Sequence, residues 1–140
     1  MSVEDLLRAC NLETDEAVYT MIKLPPAAIW AAAGILADWG EPFSALIADK
    51  DEVSLILPLE AWEDYESRLP LAVQQGAFRL ITFGITLDFD VVGFMALVAT
   101  ILASVQVSII PLGAFSRDHI LVPEAGFQQA WDALKSVQEG

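Results

Sequence analysis

Cationic side chains are scarce in this chain: 7 Lys and Arg stand against 20 Asp and Glu, a formal net charge of −13. That balance repels a phosphate backbone, so no nucleic acid partner is expected, and an anionic membrane surface is disfavoured for the same reason. Cysteine and histidine occur once each. Cys10 has no partner for an internal disulfide, and with His119 alone it cannot complete a zinc site, so no metal is expected. Glycine-rich phosphate loops are absent, and the 8 glycines are scattered singly as turn formers. The start, Met1-Ser2-Val3-Glu4-Asp5, has no basic segment and no long apolar stretch. No secretory signal is read there, and a cytoplasmic location is expected.

Catalytic groups are also missing as a set. His119 lies among the apolar Ile120 and Val122, with no serine or cysteine at a recognisable motif spacing. It reads as a hydrogen-bonded structural histidine, and Cys10 as an apolar residue of a first helix. No catalytic residue, no cofactor and no enzymatic activity are expected.

Apolar residues are plentiful, at 55% of the chain with a mean hydropathy of +0.50. Either strands are buried on both faces or a subunit interface covers part of the surface, so a homo-oligomer is expected. The run from Val91 through Ser116 carries no charge. As one helix it would be long enough to cross a bilayer, since about 20 apolar residues suffice. Thr100, Ser104, Gln106 and Ser108 stand inside it, Pro111 and Gly113 would interrupt a helix, and Val107, Ile109 and Ile110 favour a strand. A core helix followed by a buried strand is the reading adopted, with no membrane span.

The rest of the chain follows an alternating order. Ser2 with Asp5 has the form of a capping box ahead of a short helix. Ala17 to Leu24 reads as a strand stopped by Pro25-Pro26, and Ile29, Ala32, Ala33 and Leu36 give a helical stripe before Gly40. Phe43 to Ala48 and Val53 to Leu57 form a hairpin around Asp49-Lys50-Asp51-Glu52, followed by a short helix at Ala61 to Ser67. The second half repeats this order. Arg79 to Leu87 alternates with period two, and Phe94, Leu97, Val98, Ile101 and Leu102 mark a helix. Val107 to Ala114 and Ile120 to Val122 form a second hairpin. A last helix carries Phe127, Ala130, Trp131 and Leu134, with Trp131 expected as a core anchor.

Leu55-Ile56-Leu57-Pro58 is followed by Trp62, and Ile120-Leu121-Val122-Pro123 by Phe127. A strand ending at proline with an aromatic four residues on suggests one duplicated strand-helix-strand-strand-helix unit. Two such units make an α+β fold, an antiparallel sheet with helices on one face. The boundaries expected are residues 1–16 for the N-terminal helix and linker, 17–76 for the first unit and 77–140 for the second.

Two turns bear carboxylates. Leu87-Asp88-Phe89-Asp90 leads from a strand into the uncharged helix, which makes Asp90 a natural N-cap. The amides of Val91, Val92 and Gly93 would then be free helix-start donors suited to a small carboxylate. Phe115-Ser116-Arg117-Asp118 is the tip of the second hairpin. From the residues alone, a cap and a solvated turn remain an alternative to a site.

The ordered set Leu87-Asp88-Phe89, Gly93, Val107-Ser108-Ile109 and Phe115-x-x-Asp118-His119-x-Leu121-Val122-Pro123 resembles the C-terminal ACT repeat of the CASTOR/ACT-domain family. Upstream, Lys23-Leu24-Pro25 and the Phe43 to Pro58 hairpin extend the resemblance over residues of about 17 to 137. It implies ferredoxin-like βαββαβ modules that bind a small effector, often an amino acid, between repeats. It also implies an acidic contact from Asp118 to a ligand's cationic end and main-chain contacts from Ala114 and Phe115. Asp88 falls in the turn that lines the same pocket, at a place where the arginine-sensing members have glycine. The expected ligand-binding set is Asp88, Val91, Val92, Gly93, Ala114, Phe115 and Asp118, in a non-catalytic regulatory or sensor protein. A structural or dimerisation module without ligand, and a membrane-anchored protein, are the alternatives.

Overall fold

The computed structural model describes residues 1–39 and 41–140. In chain order the elements are α1 (Val3–Ala9), β1 (Asn11–Thr14), β2 (Tyr19–Leu24), α2 (Ile29–Trp39), β3 (Ala45–Ala48), β4 (Val53–Pro58), α3 (Leu59–Glu63), β5 (Val73–Gly84), α4 (Phe94–Ser104), β6 (Ile110–Gly113), β7 (Asp118–Pro123) and α5 (Phe127–Glu139). They form two compact units, Ala17–Phe78 and a second made of Met1–Glu16 with Arg79–Gly140. Strands are antiparallel wherever their register is described, and helices cover one face in each unit, an α+β architecture.

In the unit Ala17–Phe78 the strands run β3-β4-β2 and then the first half of β5. β2 ends at Leu24 because Pro25 and Pro26 follow, and a 3-10 turn over Pro26–Ala28 leads into α2. Gly40, the expected stop of α2, lies outside the described residues. The hairpin turn between β3 and β4 is tight: Asp49 Oδ1 accepts from the Asp51 amide at 2.7 Å and the Glu52 amide at 2.9 Å. Ile22, Leu24, Val53, Leu55 and Leu57 meet Ala32, Ile35, Ala61 and Trp62 in one core. Fully burying each large side chain contributes about 1.5–3 kcal/mol.

In the other unit the order is β1, the second half of β5, β7 and β6. Ser2 accepts from the Asp5 amide at 3.1 Å, and the Ser2 amide donates to the Asp5 carboxylate at 3.2 Å, so the capping box is formed. α1 packs against α4 and α5. Residues 11–14, expected as linker, are a strand paired with β5 from Asn11 opposite Gly84 to Thr14 opposite Ile81. Leu12, Ile81, Phe83, Ile120 and Val122 face Leu7, Phe94, Val98, Leu102, Ala130 and Leu134 in its core.

The uncharged run resolves into α4 and the edge strand β6. Gln106, at φ 63°, reverses the chain after α4. Pro111 sits within β6 opposite Ile120, a position open to proline because β6 has a neighbour on one side only. No helix among the described residues is long and apolar enough to cross a membrane.

Trp131 corrects an expectation. It is half-buried, stacked on Phe127 at 5.8 Å between ring centroids, with the Lys135 ammonium 5.4 Å from its own. The stripe of α5 has its fully buried positions at Ala130 and Leu134, and Trp131 lies one residue round the helix from Ala130. The tryptophan that anchors a core is Trp62, 2% exposed.

Candidate functional site

The two carboxylate-bearing turns meet. The Leu87 amide donates to the Ser116 carbonyl at 2.6 Å, tying the segment after β5 to the tip of the β6–β7 hairpin. That tip is closed by the Ala114 amide donating to the Arg117 carbonyl at 3.0 Å. Around this junction lies a cavity of about 380 Å³. Asp88, Val91, Gly93, Ala114, Phe115 and Asp118, all named from the sequence, line it. Val92 does not: it is 87% exposed and outside the lining.

The start of α4 differs from the expectation. The helix begins at Phe94, not Val91, with Gly93 as its N-cap at φ 92° and no side chain bonded to its amides. Asp90 is therefore not the cap. The Val91 amide is spent in a turn, donating to the Asp88 carbonyl at 3.0 Å. The left-handed backbone at residue 93 suits glycine, and it delays the helix by three residues. The first-turn amides, which have no partner within a helix, therefore belong to Phe94, Met95 and Ala96. All three residues line the cavity. They were missed in the sequence, although Gly93 directly before the apolar stripe that opens at Phe94 was the available signal. Leu87 and Phe89 complete the lining.

Electrostatics divide the cavity. No cationic side chain lines it, while Asp88 and Asp118 bring two carboxylates. Asp118 is partly buried, and burial pushes its carboxyl pKa up, opposed by the neighbouring His119. Its charge is therefore incompletely solvated, and a cation beside it would be favoured. His119 Nδ1 lies 2.8 Å from Thr82 Oγ1, and its pKa is lowered by burial and then by Arg117, against Asp118 and Glu13. The helix dipole adds positive potential at the α4 start. The cavity thus offers a negative end, a donor-rich end and an apolar rim. Phe89 and Phe115, on that rim, are fully exposed at 106% and 103%.

Among the described residues no group of three or more His, Cys, Asp or Glu could hold a metal ion.

A family model described as an ACT domain matches residues 75–136. The cytosolic arginine sensor for mTORC1 subunit 1 of Rattus norvegicus is 33% identical over 112 residues, which cover 79% of this chain and 34% of that protein. The chain thus spans about a third of the length of that relative. Among solved structures, a Vibrio cholerae protein described as of unknown function and a possible transport protein aligns with a TM-score of 0.77 at 26% identity. That alignment covers 98% of this chain and 96% of that one. The ligand-free regulatory subunit of aspartate kinase from Thermus thermophilus has a TM-score of 0.62 at 12% identity, over 91% and 97% of the two chains, a likeness of fold. Residues 75–136 thus match an ACT domain, and over 79% of its length the chain is similar to the arginine-sensor relative.

Proposed function

We propose that this chain is a non-catalytic sensor unit, in the cytoplasm, that binds a cationic amino acid in the cavity between the α4 start and the β6–β7 turn. The observation that carries the reading is the convergence on one cavity of Asp88, Asp118 and the first-turn residues of α4, Phe94 to Ala96. The ligand's cationic end meets the two carboxylates. Its α-carboxylate meets the α4 amides, which carry the positive end of the helix dipole. Phe115 supplies an apolar wall. The relatives named as arginine sensors make arginine the first ligand to try. No cofactor, metal or nucleic acid enters the reading.

Residues 17–76 and 77–140 are read as two ACT-like units, and the chain as a homo-oligomer. Phe89, Val92 and Phe115 are exposed at 87% or more, apolar area that a second copy would cover while closing the cavity. The same three residues favour a second reading, a dimerisation module without ligand.

Isothermal titration of L-arginine against L-citrulline separates the two. Citrulline keeps the length of arginine and loses its charge. Arginine binding with citrulline much weaker is the expected result. Equal affinities overturn the role given to the carboxylates, and silence from every amino acid leaves the dimerisation module. Light scattering reads the oligomer independently.

A further inference from the structure

A second hollow, about 400 Å³, adjoins the first along the chain but shares no lining residue with it. Thr86, Ser116 and Arg117 come from the two segments that the Leu87–Ser116 hydrogen bond clasps, and Asn11 and Glu13 come from β1. Its charges are of both signs. The Arg117 guanidinium stands 4.0 Å from the Glu13 carboxylate, with side chains 50% and 44% exposed. That separation is at the outer limit of an ion pair, and an exposed pair of this kind is worth little, so a guest can part it at small cost. Glu13 is held close to the β5 backbone: a Cβ on Gly84 would collide with Glu13 Oε2 and come within 2.6 Å of the Asn11 carbonyl oxygen. Glycine at 84 is what lets β1 carry its carboxylate to the wall.

We propose that this hollow is a second ligand site, for a small zwitterionic α-amino acid with an uncharged side chain. The ligand carboxylate pairs with Arg117 through the guanidinium fork, and its ammonium pairs with Glu13. Asn11, Thr86 and Ser116 add an amide and two hydroxyls to the wall. The first cavity has carboxylates and no cation in its lining, so the two sites select different ligands: a cationic side chain in one, a neutral amino acid in the other. The inference stands on its own residues and does not need the first cavity to be occupied.

The test is an amide-resolved NMR titration of the full chain with glycine at fixed ionic strength. Shifts at Glu13, Thr86, Ser116 and Arg117, with Phe94 to Ala96 unmoved, are expected. Arg117→Gln and Glu13→Gln should each raise the dissociation constant about tenfold or more, the range for a lost hydrogen bond to a charged group. Lys50→Gln removes the same charge elsewhere and should change nothing. Both test side chains are about half exposed, so the variants should melt like wild type, and either one alone decides the matter. Glycine without effect on the four amides, or unweakened binding by either variant, overturns the site. Acetate acting as strongly as glycine overturns the part given to Glu13, and a loss in Lys50→Gln shows a general charge effect and overturns it too. L-arginine shifting Phe94 to Ala96 while glycine is silent sinks this site and leaves the first cavity standing.

Discussion

The two compact units run through the same order, strand, helix, hairpin and helix, yet they enter their first helix differently. In Ala17–Phe78 the entry is Leu24-Pro25-Pro26: Pro25 sits at φ −66°, a 3-10 turn follows, and the turn opens with a residue that has no N–H. In the other unit a segment from Ile85 to Gly93 intervenes, and α4 starts after a glycine at φ 92° with no side-chain cap. The hollow beside the proline entry measures about 290 Å³, and its hairpin carboxylate, Asp51, is paired with Lys50 at 3.1 Å. The cavity beside the glycine entry measures about 380 Å³ and has no cation in its lining. One architecture therefore gives a smaller hollow with an ion-paired carboxylate when proline leads into the helix. It gives a larger, donor-rich one without a cation in its lining when a longer turn and a left-handed glycine do.

The aromatic four residues past each strand-ending proline shows the sharpest energetic contrast. Trp62 is 2% exposed in its core, whereas Phe127 is half-buried, with the Arg79 guanidinium 4.1 Å from its ring and Trp131 stacked upon it. Trp62→Ala should destabilise by about 3–5 kcal/mol, the range for deleting a large core aromatic. Trp131→Ala should cost about 1 kcal/mol, as for partial burial. Chemical denaturation measures both, and equal losses would erase the contrast.

At the site, Asp118→Asn should weaken arginine binding by roughly tenfold to a hundredfold, the loss of a charge-assisted contact. Asp51→Asn, in the corresponding hairpin, should leave it unchanged. Calorimetry reads the pair, and a matching loss at Asp51 would move the site to the other unit.

Gly93→Ala sharpens the comparison of helix entries. Open space surrounds a Cβ there, so any cost is backbone strain from the positive φ, about 1–2 kcal/mol. An unchanged melting temperature would mean that the glycine is not what sets the α4 start.

The smallest effect expected concerns His119, the single histidine. Burial holds its folded pKa below 6.5. As pH falls through 6.5 the unfolded chain takes up a proton before the folded one, so stability declines with acidification and is regained as pH rises. His119→Gln should flatten this part of the pH profile. A profile that keeps its slope in the variant would assign it to other groups.

Much of the fold was legible. The 3.6-residue stripes at Phe94–Leu102 and Phe127–Leu134, the prolines after Leu24 and Leu57, and the Ser2–Asp5 capping box are local patterns whose physics acts over a few residues. The strand β1 was not legible, because Asn11–Thr14 has a single buried residue, Leu12, and owes its strand to pairing with β5. The start of α4 was misplaced by three residues because Asp90 is a good cap by chemistry while the backbone turn at Gly93 decides where the helix begins.

By itself, then, the sequence determined the alternation of strands and helices, the apolar faces they bury, the acidic charge balance and the two turns that bear carboxylates. All of these follow from residue type and short-range spacing. The tertiary structure decided what those turns do together. Asp88 and Asp118 share a cavity only because β5 and β7 lie side by side and Leu87 is bonded to Ser116. Trp62 rather than Trp131 became a core anchor for a similar reason. Burial depends on which face a neighbouring element covers, and no local pattern carries that information.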